Sequence, residues 1–217
     1  NGVDINPFAA AIARFRLLLA ALKACGIHRL KDAPAFHFNV EAGDSLLHGT
    51  AEVQGLLDFG EFGHYYCTED PEELKHILVP GAYHAVVANP PYITVKDKAQ
   101  NQAYRDRYGS CHRQYSLSVP FMERIFGLAV RGERGGGGYT GQITSNSFMK
   151  REFGKKLIEE YIPRWDLTHV IDTSGAYIPG HGTPTVILFG RNQPPVQTVV
   201  RSVLGIRGEP TSPEDPA

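Results

Sequence analysis

Residues 85–93, Ala-Val-Val-Ala-Asn-Pro-Pro-Tyr-Ile, limit the fold more than any other stretch of the chain. Ala85 to Ala88 carries no polar side chain, the pattern of a strand buried on both faces of a parallel sheet. Pro90 and Pro91 end it, since neither has an N–H for a ladder and each drives the residue before it toward extended backbone. A stiff polar corner at the carboxyl end of a strand falls where open α/β sheets bind ligands. An Asn-Pro-Pro loop without a function is the plain alternative, and the rest of the chain decides between the two.

The flanking pattern is that of alternating strands and helices. Asn6 and Pro7 open a helix of strong formers that Gly26 closes, and residues 36–45 read as a strand running into an acidic turn. Asp70 caps a second helix that has Pro71 at its first position. A further helix is expected over 116–130, with Phe121, Ile125, Phe126 and Leu128 inward. A strand at 139–145, a helix at 152–161 and strands at 167–172, 185–189 and 196–203 complete the series. This order predicts one doubly wound α/β domain over 1–207, with 208–217, rich in Pro and acids, a disordered linker or cut end. Residues 49–66 show little periodicity and read as an irregular excursion.

Charge and cysteine content exclude several functions. A formal net charge of -1 over 217 residues provides no global field for a polyanion, so any nucleic-acid surface is local. One stretch qualifies: Thr94 to Gln114 holds Lys96, Lys98, Arg105, Arg107, Arg113 and His112 against Asp97 and Asp106. Its plain alternative is a solvated lid. Cys25, Cys67 and Cys111 lie far apart with no Cys-x-x-Cys pair, which argues against a disulfide framework or zinc site and for reduced cytosolic thiols. No metal site is predicted. Arg14 and Arg16 interrupt the apolar stretch Phe8 to Leu22, so it is neither a membrane span nor a secretory signal. The glycines of 132–138 follow a helix instead of opening one, the wrong context for a phosphate loop.

Asp4, Asp44 and Asn89 each stand at the carboxyl end of an expected strand. Parallel strands bring such ends to one rim, where acceptors can meet ribose hydroxyls and an adenine amino group. For Asp44 alone, capping the turn that follows is an equally good reading.

These residues resemble a known family. Asn-Pro-Pro-Tyr after a buried strand is the signature of amino-group methyltransferases, above all the DNA adenine-N6 enzymes. The frame Gly2 to Pro7, Gly43-Asp44, Ser145-Asn146-Ser147-Phe148 and Thr183 to Phe189 is similar to the PglX-type methyltransferases of BREX phage-defence systems, relatives of type IIG restriction-modification enzymes. The resemblance spans roughly Gly2 to Arg191. It implies a Rossmann-like methyltransferase sheet, mostly parallel with an antiparallel strand near the end, S-adenosylmethionine as cofactor, double-stranded DNA as partner, and a bacterial or archaeal cytoplasmic location alongside other phage-defence proteins. It implies that Asp4 holds the cofactor ribose, Ile5 packs on its adenine and Asp44 accepts from that adenine's amino group, with Asn89 also beside the cofactor. Asn89 and the Pro90 carbonyl would accept from the target amino group, with Pro91 stiffening the corner. Tyr92 and Tyr177 would stack on either face of the flipped base, and Lys96, Lys98, Arg105, Arg107 and Arg113 would contact DNA. His181 is expected to be a loop residue near the base and not a general base.

Family members also carry a first strand with a Gly-rich turn before the position of Asp4. The resemblance therefore implies a partial catalytic domain with a gap in its sheet and weak cofactor binding on its own. Two other readings stay open: a methyltransferase acting on a protein glutamine or an RNA base, and a noncatalytic DNA-binding or assembly module of the same fold.

Overall fold

The computed structural model describes residues 1–49, 68, 70–133, 135–175 and 183–205. The chain forms two compact units, Asn1–Val79 and Pro80–Ala217. Tyr177, His181, Cys67, the excursion over 50–66 and the tail over 208–217 lie outside the described residues.

In the first unit β1 (Gly2–Asp4) pairs in parallel with β2 (Val40–Ala42), with Asp4 opposite Ala42. Helix α1 (Pro7–Ala24) joins them. The Asn6 side chain caps it by accepting from the Phe8 N–H, Pro7 occupies the first turn, and Gly26 follows at φ 65°, where a Cβ would be strained. Ala10 and Ala13 pack on Val40 and Ala42, small residues that let helix and strands approach closely. Arg14 closes the seam, donating from Nε to the Val40 carbonyl at 2.6 Å and pairing with Glu41 at 3.2 Å. The strand expected over 36–40 forms later, at Val40–Ala42, and so runs into what reads as the acidic turn. Its described partner is the three-residue β1, so the ladder runs only from Val40 to Ala42, while Phe36 and Phe38 stack on each other at 6.0 Å before it. Helix α2 (Pro71–Ile77), capped by Asp70, buries Leu74 and Ile77. A Cβ on Gly43 would lie 2.5 Å from Leu74 Cδ2, so a larger residue just before Asp44 would displace the buried Leu74 side chain.

The second unit carries a five-stranded sheet in the order β3-β4-β6-β5-β7, with β3 Ala85–Ala88, β4 Tyr139–Ser145, β5 Asp166–Asp172, β6 Thr185–Arg191 and β7 Arg201–Leu204. β3 pairs with β4 in parallel, β6 runs antiparallel between β4 and β5, and β7 is parallel to β5. Between β3 and β4 the chain forms α3 (Lys98–Arg107) and α4 (Ser118–Leu128). The Tyr139 N–H then bonds to the His84 carbonyl at 2.8 Å, which sets the register of β4 on β3. The basic stretch, expected as a long polar segment, contains a helix over Lys98–Arg107, capped by Asp97.

α4 covers one face of this sheet. Val119, Met122, Ile125 and Phe126 are buried, whereas Phe121 is only half-buried. Phe126 lies between Trp165, stacked at 4.1 Å and 3°, and Gly190, whose missing Cβ it would meet at 2.7 Å. The opposite face, where Val87, Gly141, Ile187 and Phe189 align, stays open. This corrects the expectation that Ala85 to Ala88 is buried on both faces: Val87 is 84% exposed. Among the described residues β3 is an edge strand with β4 as its one ladder partner, and none of them covers its Val87 side.

The helix expected over 152–161 is irregular. A short helix over Ser147–Lys150 precedes a 3-10 turn at Glu152–Gly154, a π-helical turn at Leu157–Tyr161 and a 3-10 turn at Ile162–Arg164. In a regular helix the Pro163 ring would clash with the Glu159 carbonyl, and widening the preceding turn relieves that clash. The last strand begins at Arg201, later than the expected 196. Among the described residues no helix is long and apolar enough to cross a membrane.

Candidate active site

β3 delivers the polar corner at its carboxyl end. Pro90 is buried and anchors the turn, while Asn89 projects into solvent and Tyr92 is half-buried. The Ile93 carbonyl accepts from the Leu117 N–H at 2.9 Å, tying the far side of the corner to the start of α4. Across the corner, the Tyr92 hydroxyl donates to Asn89 Oδ1 at 2.9 Å. Partial burial raises the Tyr92 pKa above its ordinary value, so the phenol stays protonated and remains a donor at neutral pH.

A shallow groove of about 400 Å³ adjoins Asn89 on the open face, lined mainly by Val87, Gly141, Ile143, Ile187 and Phe189. Beneath the sheet lies a feature that the sequence reading missed. Thr140, Gln142, Thr144 and Asn146, every second residue from β4 into the turn after it, are all buried. Gln142 Nε2 and Oε1, Thr144 Oγ1 and Asn146 Nδ2 find no partner among the described residues. The polar-every-second pattern Thr-Gly-Gln-Ile-Thr-Ser-Asn was the available signal, but in a strand it reads as a solvated face.

The acidic strand ends fall in the first unit. Asp4 closes β1, and its carbonyl accepts from the Gly43 N–H at 2.9 Å, which brings Asp44 to the same end of the two-stranded sheet. Asp4 is exposed, and its Oδ1 accepts from the Asn6 N–H at 2.8 Å. Asp44 is only 3% exposed, and its Oδ1 accepts from Leu46 N–H at 2.7 Å and Leu47 N–H at 3.3 Å, the capping role foreseen as its alternative. Ile5 is exposed. Exposed acceptors for hydroxyls beside a buried carboxylate suit a nucleoside with a ribose and an exocyclic amine.

The basic residues divide into two kinds. Lys96 and Lys98 are exposed just beyond the corner. Arg105 is built into the fold: it donates to Asn101 Oδ1 at 2.8 Å and to the Arg113 carbonyl, and lies 5.1 Å over the Tyr115 ring. Arg113, held at φ 52°, pairs with Glu152, and Arg107 is half-buried near the end of α3. Beneath this segment, burial pushes the Cys111 thiol up to about 12, so it is a packing group and not a nucleophile. Burial likewise raises Glu123, which accepts from the Ser110 N–H at 3.1 Å. Among the described residues no cluster of His, Cys, Asp and Glu could hold a metal ion.

Known proteins place these elements in a family. The chain is 53% identical over 231 residues to the adenine-specific methyltransferase PglX of Streptomyces coelicolor, a match that covers 99% of this chain and 19% of that protein. It therefore spans about a fifth of the length of that relative. Among solved structures, the EcoKI type I restriction enzyme M protein aligns with TM-score 0.43 and 14% identity, covering 88% of this chain and 30% of that one. A predicted O-methyltransferase from Agrobacterium tumefaciens aligns with TM-score 0.44 and 14% identity over 98% of this chain and 70% of that one. Residues 1–178 match the Eco57I restriction-modification methylase family, and the chain belongs to that family.

Proposed function

We propose that this chain is part of the catalytic domain of a DNA methyltransferase that methylates the exocyclic amino group of adenine at a specific DNA site, in phage defence or restriction-modification. The observation that carries this reading is the corner itself: a stiff turn at a strand end that holds a carboxamide acceptor in solvent beside an aromatic ring. In this reading residues 1–207 form one catalytic domain, and 208–217 are a linker.

The chemistry calls for acceptors and not for a base. An adenine amino nitrogen is a poor nucleophile because its lone pair is delocalised into the ring, and no side chain of ordinary pKa removes its proton. Asn89 Oδ1 and the Pro90 carbonyl each accept a hydrogen bond from one N–H of the amino group, drawing the nitrogen toward tetrahedral geometry and restoring its lone pair. Proline rigidity keeps both acceptors in place, so positioning and electrostatics supply most of the rate. The target leaves the duplex to reach them, at a cost of a few kcal/mol that stacking on Tyr92, and on Tyr177 from the other side, helps offset. Asp4, Ile5 and Asp44 hold S-adenosylmethionine, with Asn89 at its edge; when bound, the cofactor supplies a methyl group on a sulfonium centre. Lys96, Lys98 and Arg107 contact phosphates, while Arg105 and Arg113 shape the segment that presents them.

The test compares adenine methylation, read by long-read sequencing, in cells carrying the full-length gene and in cells carrying its Asn89→Ala form. Loss of methylation in the variant is expected. Unchanged methylation defeats the proposal.

A further inference from the structure

We infer that the Tyr92 hydroxyl is a positioning group for Asn89: its 2.9 Å hydrogen bond holds the carboxamide oxygen in place as the acceptor for the substrate amino group. The inference rests on the reading of the corner proposed above and assigns the tyrosine a task beyond stacking.

The chain's own habits show why a special partner is needed here. An Asn or Asp at a strand end or helix start commonly turns its side-chain oxygen onto the backbone N–H two residues on. This chain does so at Asp4, Asn6, Asp44, Asp70 and Asp172, which accept from the N–H groups of Asn6, Phe8, Leu46, Glu72 and Ser174. Asn89 follows the same kind of strand end, but the residue two positions on is Pro91, which has no N–H. The prolines thus bar the local turn that would otherwise capture Oδ1.

Freedom from capture brings a second difficulty. An exposed carboxamide has an acceptor end and a donor end of nearly the same shape, and half a turn about its last bond exchanges them. Only the oxygen end serves a substrate N–H; the NH2 end would oppose it. Among the described residues the Tyr92 hydroxyl is the hydrogen-bond partner of the Asn89 side chain. A phenol donates well and accepts poorly, because its oxygen lone pair is conjugated with the ring, so the contact selects the orientation that turns Oδ1 toward the hydroxyl. One lone pair of that oxygen takes the phenol proton and the other remains for the substrate. The same bond fixes the ring relative to the acceptor, so a base stacked on Tyr92 arrives with its amino group beside Oδ1.

The experiment uses the full-length protein, unmethylated genomic DNA and radiolabelled S-adenosylmethionine, with Tyr92→Phe, Pro91→Ala and Asn89→Ala variants. Phenylalanine keeps the stacking face and removes only the hydroxyl. The expected result is a single-turnover methylation rate roughly 3- to 10-fold lower, the scale of one lost hydrogen bond, with the KM for DNA unchanged. Pro91→Ala restores an N–H at the capturing position and is expected to slow the same step. A Tyr92→Phe rate equal to or above wild type overturns the inference, as does an effect confined to KM; in either case an inactive Asn89→Ala variant leaves the proposed function standing. An active Asn89→Ala variant removes both.

Discussion

The contact between Phe126 and Gly190 gives the second unit its most stringent packing test. A Cβ added at Gly190 would lie 2.7 Å from Phe126 Cζ, 3.1 Å from Cε1 and 3.2 Å from the Asp166 carbonyl. The phenyl ring has little room to retreat, because it is 2% exposed and its other face lies on Trp165 at 4.1 Å. Overpacking of this kind costs about 1–3 kcal/mol. The backbone at Gly190 is not left-handed, so alanine recovers about 0.4–1 kcal/mol from the unfolded chain. The net expectation for Gly190→Ala is a loss of roughly 1–2 kcal/mol. With a urea slope of about 2 kcal/mol/M this lowers the midpoint by roughly 0.5–1 M. Trp165 is the single tryptophan of the chain and stacks on the strained ring, so its fluorescence reports the transition directly. Phe126→Leu removes the clashing atoms, and the double variant should lose less than the sum of the single losses, by about 1 kcal/mol. A midpoint for Gly190→Ala at or above wild type, or strict additivity in the double variant, would refute the reasoning.

Two further outcomes test the polar groups. Gln142→Met replaces two buried atoms that have no partner among the described residues with an apolar side chain of similar length and is expected to raise stability by about 1–2 kcal/mol in the same urea assay; a loss would mean that water or another group satisfies the amide. Glu123→Gln tests the raised carboxyl in α4. Burial lifts its pKa in the folded state, so the folded chain holds that proton more tightly, and stability is lost as pH rises from the ordinary carboxylate value through the raised one. The glutamine variant should therefore be the more stable of the two at neutral pH, with the advantage shrinking as pH falls toward about 4.3; an advantage independent of pH is the adverse result.

The legible parts of the fold were those written in local chemistry. α1 and α2 announce themselves through Asn6-Pro7 and Asp70-Pro71, and β4 matches its expected span of 139–145 residue for residue. Burial depends on what covers an element, which periodicity does not record. Ala-Val-Val-Ala reads as a doubly buried strand, yet β3 sits at the edge of its sheet with Val87 in solvent. β4 reads as one wet face and one dry, yet its polar face is the one that α4 covers. The basic stretch was visible as charge, but its division into exposed lysines and arginines occupied within the fold depends on partners as distant as Glu152.

At the acidic strand ends a structural role and a functional role are compatible. A carboxylate has two oxygens and about four acceptor sites, so a local bond through one oxygen leaves capacity for a ligand while fixing the plane of the group. At Asp4 the Asn6 N–H bonds to Oδ1, and at Asp44 the Leu46 and Leu47 N–H groups bond to Oδ1. The turn that reads as a cap is then the device that orients the carboxylate, as backbone rigidity and the Tyr92 hydroxyl orient Asn89. A carboxylate tolerates local capture because it has a second oxygen. A carboxamide has only one, so its turn has to lack the N–H that would occupy it, and that explains why prolines follow Asn89 and not Asp4 or Asp44.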